Sequence, residues 1–266
     1  MSTLAATFRA LHQNTTPLRL ANAWDIGSAC QIESLGAPAI ATTSAGVAWA
    51  LGYADGNAVP IRELANLVAA ITRRIKVPLT VDSEGGYADT PEGAAENIAG
   101  LVDAGAVGIN IEDGTGAPDL LAAKVERIRR TVAGKGVDLF VNVRIDVYLK
   151  GLVPEAQRLD EVLTRAKRYR DAGADGIFVP GLVDPAGIRQ VVAATPLPVN
   201  LLAWQNLPPA AELGALGVRR LSAGSAIIQT LWGQAAAMAK AFLAEGQSAP
   251  VIAGAMPFAE INKLFL

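Results

Sequence analysis

Five short stretches hold most of the polar residues able to do chemistry: Thr42-Thr-Ser-Ala-Gly46, Val81-Asp-Ser-Glu-Gly-Gly-Tyr87, Ile109-Asn-Ile-Glu-Asp113, Val141-Asn-Val-Arg-Ile-Asp146 and Val199-Asn-Leu-Leu202. Each ends or continues a short apolar run. In a strand, residues two apart face the same side. Asp82 then pairs with Glu84, Asn110 with Glu112, and Asn142 with Arg144 and Asp146. If these sets face one mouth, the carboxylates Asp82, Glu84 and Glu112 and the guanidinium of Arg144 converge there. Confined carboxylates repel one another and resist ionisation, and a divalent cation is the simplest remedy. Oxygen donors without His or Cys suit Mg²⁺ or Mn²⁺. Arg144 then has the fork geometry to clamp a substrate carboxylate.

Plainer roles compete for each residue. A strand-end acid often caps the next helix, Arg144 can be a structural partner of Asp146 or Glu112, Asn142 and Asn200 can satisfy loop backbone, and Ser44 can be a turn residue. Three acids ending neighbouring strands favour the metal reading over caps throughout.

The elements that must position these residues follow from repetition. Asp103-Ala-Gly-Ala-Val-Gly-Ile109 and Asp171-Ala-Gly-Ala-Asp-Gly-Ile177 share one phrase, echoed around Gly36 and Gly217. Each reads as a helix end, a glycine suited to the left-handed position, and the start of an apolar strand. Eight such strands are predicted: 18–23, 38–43, 78–84, 107–113, 138–146, 176–180, 198–202 and 219–223. Helical patterns lie between and after them, at 26–35, 61–75, 91–104, 117–132, 155–172, 185–194, 208–213 and 226–244. Pro91, Pro185 and Pro208 suit first-turn positions. Serial βα units of this kind predict one α/β domain over 1–266, a (β/α)8 TIM barrel. An open doubly wound sheet is less supported, since no Gly-x-Gly-x-x-Gly follows the first strand. Residues 246–266 are surplus to a barrel. Phe258, Ile261, Leu264 and Phe265 recur there at helical spacing, so an apolar face must be buried on the barrel or on a partner subunit, with the partner slightly favoured.

Composition excludes several classes. The chain has 266 residues, 51% of them hydrophobic and 18% charged, which rules out disorder. A formal net charge of -2 and the lack of a Lys/Arg block leave no footprint for nucleic acid. One cysteine, Cys30, excludes a disulfide framework and reads as a buried apolar residue. No apolar run spans a bilayer and no signal peptide is seen, so the expectation is a cytoplasmic protein without membrane contact. His12, the only histidine, is expected at the surface. Trp49 and Tyr53 fit either core or mouth.

The ordered set of motifs resembles the isocitrate lyase/phosphoenolpyruvate mutase superfamily, from Asn22-Ala-Trp-Asp25 to at least Asn200. Asp82-Ser-Glu-Gly-Gly-Tyr87 is similar to its Asp-x-Asp/Glu-x-Gly-Tyr-Gly signature. Ile111-Glu-Asp113 and Asn142-Val-Arg-Ile-Asp146 resemble two more, and Thr43-Ser-Ala-Gly46 with Tyr53-Ala-Asp-Gly56 resembles the early substrate loop. The resemblance implies Mg²⁺ (or Mn²⁺) held by Asp82, Glu84 and Glu112, with Asp55 helping through water. It implies a small 2-oxo or 2-hydroxy carboxylate at Thr42, Ser44, Ala45, Gly46, Asp82, Arg144 and Asn200, with Arg144, Glu112 and Asp55 as catalytic candidates. It also implies a homodimer or homotetramer whose final helix is exchanged between subunits.

One departure matters. The lyases of this superfamily carry Lys-Lys-x-Cys-Gly-His in a lid, where this chain reads Gly114-Thr-Gly-Ala-Pro-Asp119. The expected activity is carbon–carbon cleavage or decarboxylation of an oxaloacetate-like or methylisocitrate-like di- or tricarboxylate through a pyruvate-type enolate. Loss of CO₂ fits best, because it needs no general base. Two alternatives stand: a barrel that binds 2-oxo acids without turnover, motivated by the bare lid, and a phosphate-binding barrel enzyme, motivated by Leu221-Ser-Ala-Gly-Ser225.

Overall fold

The computed structural model describes residues 3–266. Helix α1 (Thr3–Leu11) leads into β1 (Leu18–Leu20) and β2 (Asn22–Ala23), then α2 (Ile26–Ser34), β3 (Ile40–Thr42), α3 (Ser44–Leu51) and α4 (Ile61–Thr72). The alternation continues with β4 (Leu79–Asp82), α5 (Pro91–Asp103), β5 (Gly108–Glu112), α6 (Pro118–Ala133), β6 (Phe140–Arg144), α7 (Val147–Lys150) and α8 (Arg158–Asp171). It ends with β7 (Gly176–Phe178), α9 (Pro185–Ala194), β8 (Val199–Leu202), α10 (Ala210–Ala215), β9 (Arg220–Ser222), α11 (Ala226–Glu245), α12 (Ala249–Ile252) and α13 (Phe258–Lys263).

The sheet runs β1-β9-β8-β7-β6-β5-β4-β3-β2, parallel throughout. β1 pairs with β9 and β2 with β3, and only Ala21 separates them. They are two halves of one strand, so the expected eight strands appear as nine segments of a nearly closed barrel. Strand positions 109, 141, 143, 177, 199 and 201 point outward and are buried under the helices. Strands buried on both faces need apolar runs without alternation, which is what the sequence supplies.

Local signals set the helix starts. Asp25, Thr90 and Asp184 accept the amides of Ser28, Gly93 and Gly187, and Pro91, Pro118 and Pro185 open their helices. Pro208 lies outside α10, which follows Pro209. Gly105 and Gly173, in the repeated phrase, take φ of 106° and 105°, values costly for any residue with a Cβ.

Three helices lie outside the expected pattern. α1 crosses the N-terminal end of the barrel and drives Phe8 and His12 into it. Both are buried, against Leu18, Leu20, Ala39, Ala41 and Phe140. His12 is therefore a floor residue, not a surface one: its ring stacks on Phe140 at 4.2 Å and its Nδ1 lies 2.8 Å from the Phe8 carbonyl oxygen. Small residues on the strands create the room. A Cβ on Gly108 would lie 2.7 Å from the Phe8 ring. α3 and α7 form within the loops after β3 and β6. At the other end of the chain, α11 to α13 leave Trp232, Phe242, Leu243, Ile252 and Phe258 exposed. Among the described residues no helix is long and apolar enough to cross a membrane. Cys30 is buried, as expected.

Candidate active site

A cavity of about 530 Å³ opens at the C-terminal ends of the strands, lined among others by Ser44, Ala45, Asp55, Asp82 and Arg144. Asp82 ends β4. Its amide donates to Thr42 Oγ1 at 2.8 Å, and its Oδ2 accepts from the Ser44 amide at 3.1 Å and the Ser44 hydroxyl at 2.9 Å. Asp82 Oδ1 is buried with no hydrogen-bond partner. Asp55, from the loop after α3, stands on the same wall near Ser44 and the Gly56 amide. Burial and the neighbouring Asp82 raise its pKa above the ordinary carboxylate value, against the pull of Arg144.

Arg144 ends β6 and sits beside Glu112, the end of β5, in register. Its guanidinium lies 2.6 Å from Glu112 Oε2 and donates through Nε to Asp146 Oδ1 at 2.7 Å. Burial alone would weaken its charge, but Glu112, Asp146 and Asp82 outweigh that and hold it cationic. Burial pushes Glu112 well above the usual carboxylate range despite Arg144, with Asp82 and Asp146 adding to the push. A second layer fixes the arginine. The Asp146 amide donates to Asp113 Oδ1 at 2.9 Å, while Asp113 Oδ2 accepts from Arg165 Nη1 and the Tyr169 hydroxyl, both at 2.8 Å.

Strand alternation stops earlier than expected. Glu84 has φ of 47°, in the left-handed region, so it leaves the β4 pleat and does not repeat the direction of Asp82. Its carboxylate accepts from the Asn57 amide and from the Tyr87 hydroxyl. Lys124 on α6 holds this turn from behind, donating to the Gly85 carbonyl at 2.8 Å. Burial raises Glu84, and the fields of Asp55 and Asp82 add to it, so the acids still sense one another.

The structure thus brings Ser44, Ala45, Asp55, Asp82 and Arg144 to the cavity wall. It sets Thr42, Gly46, Glu84, Glu112 and Asn200 behind the wall. Thr42 supports the Asp82 amide, and Asn200 Oδ1 accepts from Ser222 at 3.2 Å. Gly46 is there for packing: a Cβ would lie 2.6 Å from Thr43 Cγ2 and 2.9 Å from Trp24 Cβ. Trp49 tilts against Trp232, and the Tyr53 hydroxyl donates to Glu63 at 2.9 Å, so neither reaches the cavity. The β5–α6 connection is a tight turn closed by the Gly116 amide on Asp113 at 2.7 Å, and it adds no side chain to the wall. The Ser222–Ser225 segment opens onto this same cavity, so the suspected phosphate loop is not a separate site.

Sequence reasoning missed Phe178, Leu202, Trp204 and Gln229 on the wall, and Arg220 beneath it. Arg220 is 1% exposed and reaches only neutral partners, donating to Asn110 at 3.2 Å and Ser222 at 3.4 Å, with Nη1 unpartnered. Its position one pleat below Ser222 on β9 was the available signal. A larger cleft of about 720 Å³ lies near Leu11, Pro17, Arg19 and Leu35, with Arg19 as its one charged residue. It brings no acids together.

Among the described residues no three His, Cys, Asp or Glu side chains form a ready metal cage. The residues fit a water-rich Mg²⁺ site nonetheless. Asp82 Oδ1 is a hard oxygen without a donor, Asp55 is close enough to feel its charge, and Mg²⁺ binds by one or two carboxylates while keeping several waters.

The fold and site define a parallel α/β barrel enzyme whose strand-end carboxylates face a guanidinium across one cavity. The sequence profile of phosphoenolpyruvate phosphomutase matches residues 8–243. An uncharacterized protein of Mycobacterium tuberculosis is 36% identical over 260 residues, covering 96% of this chain and 95% of that protein. The crystal structure of a candidate phosphonomutase from Burkholderia cenocepacia has a TM-score of 0.84 at 42% identity, covering 89% of this chain and 99% of that one. The 2-methylisocitrate lyase of Escherichia coli is 28% identical over 204 residues, 72% of this chain and 67% of the enzyme. The chain belongs to the phosphoenolpyruvate phosphomutase family, within the isocitrate lyase superfamily, and is an enzyme of the lyase and mutase type.

Proposed function

We propose that this chain is a Mg²⁺-dependent carbon–carbon lyase or decarboxylase. Its substrates are small 2-oxo or 2-hydroxy carboxylates, of which oxaloacetate-like and methylisocitrate-like acids are the first candidates, and the reaction passes through a pyruvate-type enolate. The observation that carries this reading is the unpaired, buried Oδ1 of Asp82, a residue that lines the same cavity as Arg144. Asp82 would hold Mg²⁺, with Asp55, Glu84 and Glu112 acting on its water shell. When bound, the ion supplies charge stabilisation for a developing enolate.

The protein's own residues do the rest. Ser44 fixes the Asp82 carboxylate by two hydrogen bonds. Arg144, immobilised by Glu112 and Asp146, presents its remaining N–H groups to a substrate carboxylate. The start of α3 offers the backbone amide of Ala45, on the cavity wall, to a second anionic oxygen. Asp55, raised by burial and standing on the wall, is the candidate to take a hydroxyl proton in a 2-hydroxy acid cleavage. Decarboxylation requires no such base, which suits the short turn at 113–117. The relationship to a 2-methylisocitrate lyase supports the reaction class.

The test is pyruvate formation from oxaloacetate and from 2-methylisocitrate by purified protein, with Mg²⁺ and with chelator. Metal-dependent turnover of either is expected. Silence with both substrates, together with a failure of Asp82→Asn to change metal binding, refutes the reading.

We further propose that a second copy of this chain covers the apolar face of α11 to α13, as helix exchange in a dimer or tetramer requires. Trp232 and Phe258, 52% and 79% exposed, are residues such contact would bury. Light scattering is expected to show an oligomer, and Trp232→Glu with Phe258→Glu a monomer.

A further inference from the structure

The cavity has two chemically different halves, set by strand order. β3 to β6 bring the ionised groups: Asp55, Asp82 and Arg144, with Ser44. β7 and β8 continue the ring and bring Phe178, Pro180, Leu202 and Trp204. The seam falls between β6 and β7, where Arg144 pairs in register with Phe178. Phe178 is 4% exposed and so a fixed part of the wall, and Trp204 stands 51% exposed at its outer edge. Leu202 is held by packing on Gly224, where an added Cβ would come within 2.7 Å of it.

Charge accounting points the same way. Arg144 is the one lysine or arginine on the wall, and two of its edges already meet Glu112 and Asp146. Beyond the apolar strip the wall continues with neutral Gln205 and Gln229. A carboxylate placed against β7 and β8 would be stripped of water with no cation on the wall to replace it, Arg220 being sealed beneath at 1% exposure, which is costly. An alkyl or aryl group there gains by leaving water. A volume of about 530 Å³ also exceeds what a four-carbon diacid fills, since drug-sized ligands occupy pockets of roughly 300–1,000 Å³.

We propose that the substrate carries its carboxylate and 2-oxygen on the β3–β6 side and an uncharged, apolar substituent on the β7–β8 side. The preferred class is then a substituted 2-oxo or 2-hydroxy acid with an aliphatic or aromatic branch, in preference to a tricarboxylate. Leu202, Phe178 and Trp204 are the specificity-determining residues. This rests on the reading above that the ionised half binds the oxyacid end.

The test is calorimetric binding to the full chain with Mg²⁺, using pyruvate, 4-methyl-2-oxopentanoate, phenylpyruvate and 2-oxoglutarate. The two apolar acids are expected to bind at least about tenfold more tightly than 2-oxoglutarate, since each buried methylene contributes severalfold. Trp204→Arg, an exposed substitution that leaves the core intact, is expected to shift the preference toward 2-oxoglutarate. Tight binding of pyruvate and 2-oxoglutarate with weaker binding of the apolar acids overturns this proposal and leaves the metal–oxyacid reading standing. No binding of any 2-oxo acid overturns both.

Discussion

The buried histidine gives the most quantitative prediction. His12 is 2% exposed and stacked on Phe140 at 4.2 Å, edge-on to Phe8, with Nε2 lacking any partner. Burial lowers its pKa from 6.5 to about 3, helped by the positive field of Arg220 and opposed by the hydrogen bond to the Phe8 carbonyl. The imidazole is thus neutral in the folded chain and takes a proton near pH 6.5 once unfolded. As pH falls through 6.5 the unfolded state binds the extra proton, so His12 reduces stability progressively from pH 6.5 down to about 3. At pH 5 the loss is about 2 kcal/mol, from roughly 1.36 kcal/mol per pH unit below 6.5. That corresponds to a fall in melting temperature of roughly 4–8 °C for a chain of this size. The raised carboxylates Asp55, Glu84, Glu112 and Asp146 act with the opposite sign, so the comparison must be with a variant. His12→Phe keeps the stacked ring and removes the titration. Urea unfolding of both proteins at pH 7 and pH 5 is expected to show their stability difference moving by about 2 kcal/mol in favour of the variant at pH 5. An unchanged difference between the two pH values would refute the placement of His12 in the barrel floor.

Two further outcomes follow from packing and charge. Gly46→Ala forces a methyl group against Thr43 and Trp24 and is expected to cost about 1–3 kcal/mol in urea unfolding, with weaker pyruvate binding because α3 carries Ser44. Arg220→Met removes a buried guanidinium that has no carboxylate in hydrogen-bond contact. Urea stability is expected to hold or rise, as when buried charge is replaced by an apolar side chain of similar volume. Since Asp82 is the carboxylate that feels the Arg220 field, Mg²⁺ binding by calorimetry is expected to tighten. A destabilisation beyond about 2 kcal/mol would assign Arg220 to the framework.

The barrel and the identity of its charged end were legible in the residues alone. Apolar strand runs, glycines after helices and first-turn prolines are local signals, each acting within a few neighbours, so strand order and most starts of the barrel's outer helices could be read in advance, Pro208 being the exception. Asp82 and Arg144 could be placed because both end regular strands, where a two-residue period fixes direction. Glu84 and Asp146 lie one step beyond those ends. Their directions depend on a left-handed turn at Glu84 and on the Asp113–Arg165–Tyr169 network, neither of which has a periodic signature. His12 was misread for a similar reason: it follows a short helix whose destination is set by the space that Ala39, Ala41 and Gly108 leave inside the barrel. The apolar half of the cavity was likewise invisible, because Phe178 and Leu202 look like any other strand residues until ring closure turns them toward Asp82. Sequence by itself therefore determined what is encoded by near neighbours, the βα repeat and the chemical types at strand ends. Tertiary structure decided which of those groups share one cavity, because closing a barrel brings together residues more than a hundred positions apart, such as Arg220 and Asn110, through contacts that no local pattern specifies.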